Sequence, residues 1–176
     1  SALNNSEVSL EDFLSKDYLA LHVSGGTTDL LRVTPNDNKI IDIEHIGGSL
    51  DANAGQIVDR IGVKLDFPFP CGPYIDSAAL EHRGKVKGIS LSVKNLNFNI
   101  SGLENKALNM IENDTDTAQV CAYVLEFISK SVKEIVKNAR DIYGNLPVVF
   151  AGGVMSSRYI KGRLGEIGMF SEPQFS

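Results

Sequence analysis

One long apolar stripe constrains the fold more than any other feature of the chain. Cys121, Leu125, Ile128, Val132, Ile135, Ala139 and Ile142 recur at spacings of four and three, which predicts a single helix from about Thr117 to Tyr143 with one apolar face. Asp114, Thr115 or Asp116 can cap its start, and Gly144-Asn145 ends it. A stripe this long has to be covered, by a second helix in a coiled coil or by a sheet. Strand-like segments on both sides of it in sequence favour the sheet.

Residues 18–23 and 30–33 read as strands joined at Ser24-Gly25-Gly26-Thr27-Thr28. The turn Pro35-Asn36-Asp37-Asn38 leads to a third strand over 39–46, which gives a three-stranded antiparallel meander. A helix is predicted over 50–61 with Asp51 as its N-cap, and Asp59 lies beside its apolar face. Three prolines stiffen the loop 67–73, after which a short helix over 74–81 carries Asp76 in its first turn. Strands follow over 89–93 and 96–100, then a helix from Ser101 to about Glu112. Beyond the long helix come a strand over 147–151, Gly152-Gly153, a helix over 157–167 and the trace of a strand at Met169-Phe170. Residues 4–17 form a polar lead with room for one short helix.

The formal net charge of −5 excludes a general basic field for nucleic acid, though not a local basic patch. Cys71 and Cys121 are too few for a disulfide framework or a zinc site, so reduced thiols in a cytoplasmic protein are expected. No apolar run approaches the roughly 18 residues of a membrane span.

Two Gly-Gly corners carry the chemistry. Glycines let backbone approach an anion closely, successive amides can form a cationic nest, and Ser24, Thr27 and Thr28 add hydroxyls. Strand, Gly-Gly, helix at 147–157 is a geometry in which a ligand rests on a helix N-terminus.

A β-meander followed by helices and a late strand-helix unit resembles one lobe of the actin-like ATPase (ribonuclease H-like) fold: α/β, with a mixed sheet, an antiparallel meander and packed helices. The motifs resemble those of the glycoprotease-like family in order over residues 18–167. They are Ser24-Gly25-Gly26-Thr27-Thr28, Asp51-Ala52 through Ala54-Gly55 to Asp59, Phe67-Pro68 to Gly72-Pro73, Asn97-Phe98-Asn99-Ile100-Ser101-Gly102-Leu103, and Ala151-Gly152-Gly153-Val154. Full-length members form the threonylcarbamoyl-adenosine modification of tRNA and were formerly described as O-sialoglycoprotein endopeptidases.

The resemblance implies a polar lead from a truncated N-terminal lobe at residues 1–17 and a C-terminal nucleotide-binding lobe at 18–176. Its expected ligand is an adenine nucleotide or threonylcarbamoyl-adenylate. His22, Val23, Ser24, Gly25, Gly26 and Thr27 would meet its phosphates or its threonylcarbamoyl group. Asp59 would bind ribose, Gly72 would let the nucleotide pack on the loop, and Asp76 would add a second ribose-side acid. Gly152, Gly153 and Ser157 would lie near adenosine. One divalent metal, iron or zinc, is expected only in the full-length parent, on residues outside this chain. His22, His45 and His82 lack the spacing of a helical ligand pair. Expected partners are the missing N-terminal lobe, a paralogous subunit and other tRNA-modification proteins, with tRNA reached through the full-length complex and no membrane. The lobe alone is expected to be inactive.

Four departures from the family pattern motivate an alternative, a non-catalytic scaffold or dimer partner. Thr27 stands for a histidine, Cys71 for a glycine, Glu104 for a lysine and Ser157 for an asparagine. A metallopeptidase reading finds neither a nucleophile paired with a base nor a His-Glu-x-x-His helix.

Overall fold

The computed structural model describes residues 15–38 and 41–171. β1 (Tyr18–Val23), β2 (Thr28–Pro35) and β3 (Ile41–Ser49) form the antiparallel meander, with Leu21 opposite Leu30 and Val33 opposite Ile43. Next come α1 (Ala54–Lys64), α2 (Gly72–Glu81), the short pair β4 (Ser92–Lys94) and β5 (Asn97–Asn99), α3 (Ser101–Glu112) and the long α4 (Thr117–Tyr143). β6 (Val148–Ala151), a 3-10 turn over Gly153–Ser156, α5 (Arg158–Leu164) and β7 (Met169–Phe170) complete the described chain. The strands form one mixed sheet in the order β4-β5-β3-β2-β1-β6-β7, in which β1–β6, β3–β5 and β6–β7 are parallel pairs. The short helix expected in the polar lead falls almost wholly outside the described residues.

The long helix has the predicted bounds. Asp116 caps it by accepting the Gln119 N–H at 3.2 Å, and Gly144 closes it at φ 91°. Its burial exceeds one stripe: Val120, Ala122, Val124, Phe127 and Val136 are buried together with Cys121, Leu125, Ile128, Val132, Ile135 and Ala139. The cause is its position, since α4 touches α2, α3, α5, β4 and β5 and so serves as the centre of a layer rather than a lid on the sheet. Ile142, expected on the stripe, is exposed because the buried part of the helix ends at Ala139.

The first helix corrects the sequence reading. Asp51 does not cap α1, which starts at Ala54 after Asn53. Its carboxylate instead accepts the Ile100 N–H at 2.8 Å, the Ser101 N–H at 3.1 Å and the Ser101 hydroxyl at 2.5 Å, and so caps α3. Sheet register is the reason: β3 and β5 run parallel with Ser49 beside Phe98, so the residues just beyond each strand emerge side by side. The α2 helix starts at Gly72, two residues earlier than predicted, which puts Asp76 past the first turn. β4 and β5 keep only three residues each, fewer than the sequence suggests. Among the described residues no helix is long and apolar enough to cross a membrane.

Ile135 is fully buried on α4. Ile135→Ala should cost about 2–5 kcal/mol of unfolding free energy, the range for emptying a large aliphatic site, read from a urea melt by circular dichroism.

Candidate functional site

The site follows from one strand pairing. β1 and β6 run parallel with His22 beside Ala151, so both strands end at the same edge of the sheet and their Gly-Gly loops become neighbours. An open α/β sheet forms its ligand crevice beyond the carboxyl ends of strands where the connections diverge. Gly152 turns the chain there at φ 100°, and a Cβ on it would stand 2.2 Å from the Val23 carbonyl oxygen. Side chains are excluded at that crossing, and the Val23 side chain is buried.

The hairpin turns its polar groups on itself. The Ser24 N–H donates to the Thr27 carbonyl at 2.8 Å, and the Gly26 and Thr27 amides each donate to Ser24 Oγ at 3.2 Å. Thr27 Oγ1 lies 2.5 Å from His22 Nδ1 and 3.1 Å from Ser24 Oγ. Thr28 Oγ1 accepts the Ala54 N–H at 3.1 Å in a buried position. The hydroxyls that the sequence suggests for phosphate therefore hold the loop and dock it on α1. Further ties are the Gly55 N–H on the Ser24 carbonyl at 3.1 Å and Asn53 Nδ2 on the Gly26 carbonyl at 2.8 Å. The docking needs Gly55, because a Cβ there would lie 2.6 Å from both Gly25 N and the Ser24 carbonyl oxygen.

Between this loop, α1, the proline loop and the turn before α5 lies a cavity of about 530 Å³. Small-molecule sites span about 300–1,000 Å³. Of the residues expected to bind, Gly25, Asp59, Gly72, Asp76, Gly153 and Ser157 line it. His22, Val23, Ser24, Gly26, Thr27 and Gly152 do not; they build the strand ends and the loop that form its wall. A Cβ on Gly72 or Gly153 would meet no other atom within 4 Å, so both glycines leave open space in the cavity lining. Sequence reading missed Gly55, Val58, Pro70, Pro73, Val154, Ser156 and Arg158 as lining residues. The helix that carries Gly55 and Val58 and the proline loop were visible in the sequence, but nothing there distinguished Arg158 from other surface arginines.

The two acids in the cavity are placed differently. Asp59 Oδ1 accepts the Cys71 N–H at 2.9 Å and joins α1 to the proline loop. Asp76 has both oxygens engaged: Oδ1 accepts the Ser157 hydroxyl at 2.5 Å and the Tyr159 N–H at 3.0 Å, and Oδ2 accepts Arg158 Nε–H at 3.1 Å. Burial alone would raise the Asp76 carboxyl, but the bonds from Ser157, Tyr159 and Arg158 outweigh it and hold the group below the usual aspartate range. Ser157 Oγ also accepts the Ile160 N–H at 3.2 Å, so this side chain caps α5 and links it to α2.

Cys71 packs where a Cβ on Gly62 would come within 2.2 Å of its own Cβ, so the bare Gly62 makes room for the thiol at this departure from the family pattern. Burial and the neighbouring Asp59 push the Cys71 thiol up, and burial with Asp116 pushes Cys121 up to about 12. Both thiols are neutral at physiological pH and poor nucleophiles. Glu104 faces Arg60 at 3.2 Å. Among the described residues no three His, Cys, Asp or Glu side chains are grouped to hold a metal ion.

A mixed sheet with an antiparallel meander, packed helices and a cavity at its carboxyl edge is the layout of the actin-like ATPase-type fold. Solved structures agree: the activator of 2-hydroxyisocaproyl-CoA dehydratase from Clostridium difficile, with bound ADPNP, aligns over 89% of this chain and 54% of its own with a TM-score of 0.55 at 14% identity. Residues 4–175 match the family described as TsaD, tRNA N6-adenosine threonylcarbamoyltransferase, and the chain belongs to that family. The transferase of that name from Bifidobacterium adolescentis is 28% identical over 167 residues, covering 87% of this chain and 47% of its own length. The one from Thermosipho africanus is 31% identical over 157 residues, covering 84% and 46%. The chain thus spans about half the length of these curated relatives.

Two outcomes follow from the site. Gly55→Ala should destabilise the chain by about 1–3 kcal/mol, since the clash is with backbone that cannot rotate away, as a chemical melt would show. Asp51 is also lowered: burial opposes, and the bonds from Ile100 and Ser101 prevail. Carboxyls with lowered folded-state pKa values contribute stability that is complete above about 3.9, the unfolded aspartate value, and is lost as pH falls through the folded values. The urea midpoint should therefore drop on acidification from about pH 5 toward pH 2, and less steeply in Asp76→Asn.

Proposed function

We propose that this chain is the nucleotide-binding lobe of a tRNA N6-adenosine threonylcarbamoyltransferase, and that the cavity holds the adenosine end of ATP or of threonylcarbamoyl-adenylate. The observation that carries this reading is the convergence of Gly25, Asp59, Gly72, Asp76, Gly153 and Ser157 on one cavity, from four separate segments of the chain. Asp59 keeps Oδ2 for a ribose hydroxyl while Oδ1 holds the proline loop. Gly72 and Gly153 give the flat faces against which a base and a sugar can lie. Asp76 acts indirectly, by fixing Ser157 and Arg158 and with them the N-terminal turn of α5. The hairpin brings Gly25 to the phosphate side, with its shape fixed in advance by Ser24 and Thr27.

In the whole protein, the N6 amine of the tRNA adenosine attacks the carbamoyl carbon of the adenylate. The new C–N bond forms, the C–O bond to the phosphate of AMP breaks, and the amine loses a proton. This lobe binds and orients the leaving AMP and shields one side of it from water. A divalent metal in the whole protein would polarise the carbonyl or phosphate oxygens, and the described residues offer no set to hold it, so no step here passes through one.

The inward-turned hydroxyls of Ser24, Thr27, Thr28 and Ser157 favour one rival, a non-catalytic scaffold of a tRNA-modification complex. Calorimetric titration of the chain with ATP separates the two. On the nucleotide reading ATP binds, and Asp59→Ala and Gly72→Val each weaken binding about tenfold or more, the first by losing a charged hydrogen bond and the second by filling the cavity. Absence of binding at millimolar ATP would favour the scaffold.

A further inference from the structure

The nucleotide cavity leaves the region after α2 without a role. From His82 to Leu103 the chain carries Arg83, Lys85, Lys87 and Lys94 and no carboxylate, although the whole protein has 22 Asp and Glu against 17 Lys and Arg. Residues 84–91 form neither helix nor strand, and Arg83, Lys85 and Lys87 are exposed. Beside this segment lie two clefts, of about 210 Å³ and about 470 Å³, that share Gly88, Lys106 and Tyr123 and so form one groove. Lys87 and Lys106 line it together with Ser90, Ser92 and Asn99, and no carboxylate does. The nucleotide cavity, by contrast, is lined by Asp59 and Asp76.

The cations of this region are also unpaired. Arg32, Arg60, Arg158 and Arg163 face carboxylates and Arg140 donates to the carbonyls of Leu146 and Ile167. Among the described residues Arg83, Lys85, Lys87 and Lys106 have no such partner. Unpaired cations cost the fold its self-attraction and leave the surface able to release counterions when a polyanion binds. None of the large exposed hydrophobic side chains lies between 82 and 106, so the groove lacks the apolar wedge of a membrane-binding face.

We propose that this groove and the Arg83–Lys87 segment hold the sugar-phosphate backbone of an RNA strand. The choice of RNA as the polyanion rests on the transferase reading above. Lys87 and Lys106 meet phosphates, while Ser90, Ser92 and Asn99 offer short polar groups to phosphate or 2′-hydroxyl oxygens. The α2 helix joins the two sites: Gly72 lines the nucleotide cavity and Glu81 ends next to the basic segment, ten residues or about 15 Å away. That separation lets one bound RNA be gripped by its backbone without filling the nucleotide cavity.

Fluorescence anisotropy of a labelled RNA stem-loop against the full 176-residue chain tests this, at several salt concentrations and with ATP titrated separately. Lys87→Glu with Lys106→Glu should weaken binding about tenfold or more at low salt and flatten the log-log salt dependence by roughly 1.4 to 1.8. The paired alanine variants should show the same trend more mildly, and they serve if charge reversal disturbs folding. Lys64→Glu with Lys133→Glu, which changes net charge equally outside the groove, should leave affinity within about twofold. Failure of the RNA to bind at low salt, equal loss in both charge-reversed pairs, or binding to phosphatidylserine vesicles in place of RNA would each overturn the proposal. Loss of ATP binding with groove-dependent RNA binding intact would count against the nucleotide reading alone.

Discussion

The contact on which the rest depends is the parallel pairing of β1 with β6, tightened where Gly152 crosses the Val23 carbonyl. It joins the strand before the first Gly-Gly corner to the strand before the last, more than a hundred residues away in the chain. Without it the hairpin would be an ordinary turn and the 3-10 turn after β6 an ordinary connection. With it, the two loops form adjacent walls of one cavity. The crossing tolerates no side chain at 152, so the sequence requirement is a consequence of sheet geometry rather than of ligand contact.

Around that pairing, carboxylates act as long-range clasps. Asp51 ties the exit of β3 to the start of α3, Asp59 ties α1 to the proline loop, and Asp76 ties α2 to the start of α5. Each accepts backbone amides at a loop or helix start, where donors lack partners within the helix and a negative charge is favoured. For Asp51 and Asp76 these bonds overcome the cost of burial, which is why both carboxyls lie below the usual aspartate range. The cavity is bounded by two of the three clasps, those of Asp59 and Asp76, so its shape is held by charge-assisted bonds.

Helix and strand identities were legible because periodicity is a local property. The α4 stripe, the meander and the strand-helix unit at the end each repeat at 3.6 or 2 residues over a window long enough to read. The order of short motifs was legible too, and it led to the family and to the actin-like fold. Half of the expected binding residues line the cavity; the other half, His22, Val23, Ser24, Gly26, Thr27 and Gly152, shape it. A glycine needed for contact with a ligand and a glycine needed for contact with another strand look the same in sequence.

The amino-acid sequence by itself determined the element types, the bounds of α4 and the family, because each follows from neighbours a few residues apart or from motif order. Only the tertiary structure decided what Asp51 caps, where the hydroxyls of Ser24, Thr27 and Thr28 point, and that Asp76 holds Ser157 and Arg158. Those outcomes depend on strand register and on which loops become neighbours, and register is set by pairings between residues far apart in the chain.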